Sequence, residues 1–342
     1  MTEEFKFFTS EQMTNEFYHS DTEWTKDYVS GSDLSKIFSS CPAAWKFDEK
    51  EKSHALIFGT QSHTNYESAE LFHKNYRRAP HVDDFKDAIT SQAALATKLK
   101  SFGLTGTSGK QYPELVKMMV DCGEELNVMW LIDMIAESQA RADGVELVKA
   151  EDYDACIKMR QVLEQIPAYA ERMNSQTAQH EMSIFGVISG VKVKVRLDYV
   201  DVVSDPEFIR ENGIDPDVHP EVILIDDYKT TASANPAEFG RLAANLGYLL
   251  KMALQRDLFK KVFNETRPII VRLLAQEKKP PYLPLAYRLI DKHIGYGRQD
   301  YMSVIHTYAA CVESNVWPSY ANGQTQVDLE LPEWFEKRYN KQ

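Results

Sequence analysis

The pattern that most limits what this chain can fold into lies between residues 191 and 229. Val191-Lys192-Val193-Lys194-Val195-Arg196-Leu197-Asp198 alternates apolar with charged residues, the period of a strand with one face in a core. The other face carries three cations and then one carboxylate, not the mixed polar set of an ordinary solvated strand. A second stretch, Ile223-Leu224-Ile225-Asp226-Asp227-Tyr228-Lys229, is an apolar run ending in Asp-x-Lys, so Asp227 and Lys229 share a face. Asp-x-Lys alone is a common string, and strand ends often carry charge. Here it follows a strand that closes in an acid and precedes a long helical pattern. Two carboxylates can hold a divalent cation, and a lysine beside them can act on an attacking water or on a phosphate. Those are the requirements of metal-assisted phosphodiester hydrolysis.

Around this pair the chain reads as α/β. Ser30-Gly31-Ser32-Asp33 caps one helix; others are expected from Phe58 to about Tyr76, Pro113 to about Gln139, and Asp152 to Asn174 with a break at Pro167. Residues 1–30 and 80–112 show little periodicity. Strands are expected at Met182–Ser189, Val191–Val203 and Val222–Lys229, with an Asp/Pro/Gly-rich loop at 204–220. One long helix from Pro236 to about residue 264 follows, then strands at Ile269–Gln276 and Tyr282–Ile290 and a helix from about Gly295 to Asn315. This order gives a mixed central sheet flanked by helices, with a helical N-terminal elaboration. We read residues 1–150 as the helical part contributing to the fold and 151–342 as its core, one compact domain overall.

The 342 residues carry a net charge of −12, which argues against nonspecific coating of nucleic acid. A local basic face in an acidic body would confine DNA to one channel, and Lys192, Lys194 and Arg196 are the candidates for it. No run of about 18 apolar residues suggests a membrane span. Met1-Thr2-Glu3-Glu4 is acidic and no apolar signal region follows it. Cys41, Cys122, Cys156 and Cys311 are scattered without a Cys-x-x-Cys pair. That excludes a zinc ribbon, argues against an iron–sulfur cluster and fits a reducing cytosol.

Other residues bear on the chemistry. Glu181, just ahead of the first strand, is either a solvated charge or a group that orients Lys229 or a metal-bound water. His63 and Glu67 stand one helical turn apart, a spacing that usually makes a surface pair worth roughly a few tenths of a kcal/mol. On the helix after Asp-x-Lys, Tyr248, Lys251 and Gln255 form a polar stripe beside a leucine-rich one. That stripe either faces solvent or lines a substrate groove.

Longer motifs run through the chain in order: Tyr18-His19, Ser30-Gly31-Ser32-Asp33-Leu34 with Cys41-Pro42-Ala43, Phe58-Gly59-Thr60-Gln61-Ser62-His63, Glu181, and Gly190 to Asp198. Asp227-Tyr228-Lys229-Thr230-Thr231, Gln276-Glu277-Lys278-Lys279-Pro280-Pro281-Tyr282, Trp317-Pro318-Ser319-Tyr320 and Leu331-Pro332-Glu333-Trp334 complete them. In these motifs the chain resembles the PD-(D/E)xK nucleases, and within them the RecE-like, exodeoxyribonuclease VIII and lambda-exonuclease-like group of phages and prophages. The resemblance implies a restriction-endonuclease-like core. It implies that Asp198 and Asp227 bind Mg²⁺ or Mn²⁺ with the backbone carbonyl of Tyr228, and that His63 is a metal ligand of a second site. Lys229 would position and help deprotonate the attacking water, with Glu181 in support. The family's Gln-x-x-x-Tyr pair falls at Lys251 and Gln255, a departure that leaves Lys251 as a phosphate contact.

The same resemblance implies digestion of linear double-stranded DNA from its ends, 5′→3′, leaving a 3′ single strand for a single-strand annealing protein. It implies a ring-shaped homo-oligomer in the cytoplasm of a bacterial host. Lys192, Lys194 and Arg196 would meet backbone phosphates, contacts that carry no sequence information. The alternatives are a non-catalytic DNA-binding or assembly protein that kept the fold, and a RecB-like nuclease of another pathway.

Overall fold

In a computed structural model that describes residues 5–49 and 53–339, the alternating segment becomes the longest strand of a seven-stranded mixed sheet. The reading of Met1 to Glu4 lies outside the described residues. The strands are β1 (Lys6–Phe8), β2 (Val29–Ser30), β3 (Gln179–Ile188), β4 (Val191–Val203), β5 (Val222–Thr231), β6 (Ile269–Glu277) and β7 (Pro284–Leu289). Their order in space is β1-β3-β4-β5-β6-β7, with β2 beside β4. Pairing is antiparallel except between β5 and β6 and between β2 and β4.

Helices cover both faces, so the central strands are apolar on both sides. The helices that matter for the site are α1 (Gly31–Ser39), α2 (His54–Glu67), α3 (Ala150–Glu164), α4 (Pro236–Asn245), α5 (Tyr248–Val262) and α6 (Asp291–Ser314). Leu34, Phe239, Leu254 and Ile305 of α1, α4, α5 and α6 join Val195, Ile225 and Leu273 in one core. Phe58 and Tyr66 of α2 and Met159 of α3 join Tyr228 and Leu274 in a core on the other side. The expected mixed sheet flanked by helices is the observed architecture.

Several boundaries differ from expectation, each for a local reason. The capping box at Ser30 and Asp33 starts α1 as its sequence suggests. The long helix after Pro236 is two helices, because Gly247 takes a left-handed φ of +67° that ends α4 and redirects α5. The helix expected from Pro113 is likewise split, into Tyr112–Asp121 and Met129–Asp143, with Gly123 at φ +76° between them. These two pack with Gln92–Ser101 around a small core of Leu95, Leu99, Leu115 and Val128. The loop at 204–220 contains a short helix, Pro206–Glu211. β1 and β2 come from the weakly patterned N-terminal segment; strands of two or three residues are too short to show a period. No helix among the described residues is long and apolar enough to cross a membrane.

The feature that positions the site is a fork. β4 pairs with β5 from Val203↔Val222 to Tyr199↔Asp226, and there the ladder stops. Beyond it β4 pairs with β2 at Val193 and Lys194, and β5 continues along β6 to Thr231. The strict alternation read from the sequence also breaks here. Val193, Val195, Leu197 and then Val200 share one core, while Tyr199 and Val203 belong to another. β3 kinks at the same level: Glu181 has a φ of +53° between the pairs His180↔Tyr199 and Met182↔Leu197. A left-handed non-glycine residue inside a strand costs on the order of 1 kcal/mol and persists where its surroundings hold it.

Candidate metal centre

Asp198 and Asp227 stand at the crotch of the fork. Separation of the strands frees the Tyr228 N–H, which donates to Asp198 Oδ2 at 3.1 Å. Asp227 is fully buried. Its two oxygens meet different lysines: Lys251 Nζ from α5 lies 2.8 Å from Oδ1, and Lys229 Nζ lies against Oδ2. The same Lys229 ammonium donates to the Tyr228 carbonyl at 3.2 Å and is 4.0 Å from Asp198 Oδ2. One cationic nitrogen therefore sits among two carboxylates and a backbone carbonyl. Burial pushes the Asp198 carboxyl up, but His63, Lys229 and Lys251 outweigh it and hold it well below the usual range. Burial opposes the charge on Lys251, but Asp227 and Asp198 overcome that and keep it an ammonium.

The carbonyl is held in place from behind. The Tyr228 ring stacks on Tyr66 of α2 with centroids 4.5 Å apart and planes 6° from parallel. Its hydroxyl donates to Gln276 Oε1 at 2.7 Å, and the Gln276 amide donates to the carbonyls of Met159 and Tyr282. All these groups are buried, so each hydrogen bond is costly to break.

α2 reaches the centre from the opposite layer. His63 Nε2 is 3.0 Å from Asp198 Oδ2, and its Nδ1 is 3.6 Å from Glu181 Oε1. Burial alone would lower the imidazole pKa, but Asp198 and Glu181 raise it to about 9. Glu67, one turn along, joins them: ligand atoms of His63, Glu67 and Glu181 all lie within 4.8 Å of one another. The expected surface pair of His63 and Glu67 is thus a half-buried cluster, because β3 kinks toward α2 and supplies Glu181. Glu67 is the site residue that the sequence reading passed over. Its i,i+4 spacing to His63 was visible, but the strand that makes the spacing matter is 114 positions further along.

The expected DNA-contacting row divides. Lys192 is at the surface, 3.8 Å from Asp27. Lys194 is buried, and its ammonium donates to the carbonyls of Tyr18 and Thr25 at 2.7 and 2.9 Å. The N-terminal segment folds over this face of β4, so Lys194 is a structural cation and not a phosphate contact. Arg196 is ion-paired with Glu181 and donates to Ser183 Oγ. Gln255 is also buried, its amide donating to the Arg196 carbonyl at 2.9 Å, which ties α5 to β4 and removes it from any groove. Lys251 turns inward to Asp227 and not toward a groove.

The donor chemistry fits a hard divalent ion. Asp198, Asp227 Oδ2 and the Tyr228 carbonyl are oxygen donors, and the Lys229 ammonium among them marks a place where a cation is stabilised. His63, Glu67 and Glu181 offer a mixed nitrogen and oxygen set beside it.

Glu67 also gives a pH prediction. Burial, reinforced by Glu181, raises its carboxyl to about 7. A carboxyl with a raised folded pKa adds stability that is full below its unfolded value and is lost as pH rises through about 7. Glu67→Gln cannot ionise. In metal-free urea unfolding it should match the wild type near pH 4 and exceed it by about 1–2 kcal/mol at pH 8. A difference that does not change with pH would refute this.

No family model matches the chain, and no curated protein does either. Among solved structures, a protein from Eubacterium rectale named as a candidate exonuclease aligns with a TM-score of 0.52 and 13% identity, covering 96% of this chain and 99% of that one. SSO0001 aligns at a TM-score of 0.22 and 12% identity over 71% of this chain and 84% of that one. Protein VC1899 from Vibrio cholerae aligns at 0.20 and 11% identity over 84% and 62%. Scores that low carry no argument. The first likeness concerns the fold, and over nearly its whole length this chain shares the α/β fold of the Eubacterium rectale protein.

Proposed function

We propose that this chain is a metal-dependent deoxyribonuclease that digests linear duplex DNA from its ends. The observation that carries the reading is the Lys229 ammonium enclosed by Asp198, Asp227 and the Tyr228 carbonyl at the strand fork. Two acids, a carbonyl and a lysine there are the groups that phosphodiester hydrolysis needs. The shared fold with a protein named as a candidate exonuclease supports the same class.

Asp198, Asp227 Oδ2 and the Tyr228 carbonyl would hold Mg²⁺ or Mn²⁺. Such an ion supplies charge neutralisation at the phosphate and a more acidic bound water. Lys229, which meets those oxygens here, would then be free to turn its ammonium to the attacking water or the scissile phosphate. His63 holds Asp198 in orientation, Glu181 stands against the other nitrogen of His63, and Arg196 holds Glu181. The resemblance to the RecE-like group extends the proposal to 5′→3′ digestion, a 3′ single strand handed to an annealing protein, and a ring of like subunits around DNA.

The test is incubation with end-labelled linear and covalently closed circular duplexes in Mg²⁺, Mn²⁺ or EDTA. Linear DNA should be lost from its 5′ ends with either metal, and circles and EDTA samples should stay intact. Cutting of circles would replace the exonuclease by an endonuclease. DNA retention without digestion in any metal would favour a binding protein that kept the fold.

A further inference from the structure

The lysine on Asp227 Oδ1 has no part in the roles above. Lys251 comes from α5, its stem lying near Gly31 of α1 and its ammonium 2.8 Å from an oxygen of a carboxylate with no exposed surface. The pair of acids at the fork therefore faces three cationic groups, the Lys229 and Lys251 ammoniums and the His63 imidazole on Asp198. Lys229 leaves Asp227 when it turns to water or phosphate. Lys251 is held by a helix packed into the core, with Leu254 of the same helix fully buried in it.

We propose that Lys251 is a resident cation that couples metal loading to DNA. It occupies one oxygen of Asp227, so only Oδ2 remains for an incoming ion. It also places a positive charge on the far side of the same carboxylate, so a divalent ion entering alone meets repulsion. A DNA phosphate brings the missing negative charge to the fork and relieves that repulsion. The protein therefore binds its metal weakly without DNA and more tightly with it. By linkage, the metal tightens DNA binding by the same factor. The inference rests on the proposed metal centre and adds to it when that centre fills.

The experiment is a Mn²⁺ titration read by electron paramagnetic resonance, on the full chain alone and with a duplex bearing nuclease-resistant phosphorothioate ends. Wild type should bind Mn²⁺ about tenfold or more tightly with DNA. Lys251→Met, which keeps the stem and removes the charge, should raise the DNA-free affinity by about tenfold and shrink the effect of DNA. Lys251→Gln should behave alike, and Lys251→Arg should keep the wild-type coupling; circular dichroism identifies any variant that fails to fold. Unchanged DNA-free affinity in both uncharged variants would overturn the inference. Asp227→Asn separates the two readings: if it binds Mn²⁺ as the wild type does, the metal centre itself is misassigned.

Discussion

Asp227→Asn is expected to abolish metal-dependent digestion, by on the order of 10³-fold or more, and also to lower the stability of the fold. The loss of activity follows from removing one of the two carboxylates that would hold the ion in the proposed centre. The loss of stability follows from what the change leaves behind. Asp227 is fully buried between two ammonium groups. Removing the charge takes from Lys251 the carboxylate it is paired with and leaves Lys229 only the more distant Asp198 at 4.0 Å. Breaking a buried ion pair from one side costs about 3–5 kcal/mol, far more than the pair contributes when intact. The double variant Asp227→Asn with Lys251→Met should therefore regain part of the stability and none of the activity. Urea unfolding and single-turnover digestion separate the two effects. A single variant as stable as wild type would mean that the lysines do not clamp Asp227. One that digests DNA normally would mean that the metal sits elsewhere.

Gly297→Ala is expected to be the most damaging single methyl group in the protein. α6 crosses α5 so closely at this point that a Cβ on Gly297 would lie 2.1 Å from Leu249 O, 2.5 Å from Leu249 C and 2.9 Å from Ala253 Cβ. Two of these are backbone atoms, which cannot turn away as a side chain can. The helices must separate, at about 3 kcal/mol or more. Separation moves α5, and with it Lys251 on Asp227 and Gln255 on the Arg196 carbonyl, so digestion should fall with stability. Gly295 is the control. It lies two residues away on the same helix, and a Cβ there meets nothing within 4 Å. Gly295→Ala should stabilise the protein by about 0.5–1 kcal/mol, since glycine is the poorer helix former. Thermal unfolding of the pair checks both signs at once.

Much of the frame was legible in the residues. The central strands declare themselves by apolar runs and by alternation. The punctuation of helices by Pro167 and of α1 by Ser30 and Asp33 follows from local chemistry. Asp227 and Lys229 share a face because a strand has a period of two. The limits of the reading are equally physical. Lys194 and Lys192 look equivalent in an alternating strand, yet one is buried under the N-terminal segment and the other meets water. Nothing within the strand separates them, since the cover is contributed from some 170 residues away.

His63 and Glu67 show the same limit. Their spacing on α2 says that they share a helix face, and nothing local says what that face meets. Glu181 and Asp198 reach them because β3 and β4 kink together, a break in alternation that residue types do not announce. Lys251 reads as one member of a polar helical stripe until the packing of α5 sets it on Asp227.

The sequence by itself determined the five longer strands, the two acids, the lysine that follows them and the class of chemistry such a set permits, because these depend on periodicity and residue type within a few positions. The tertiary structure alone decided which cations stay at the surface and which are spent inside, that β4 and β5 part at the acids, and that a second lysine and a second layer gather there. Those outcomes depend on which distant segment covers each face, and burial by a distant segment leaves no mark on local sequence.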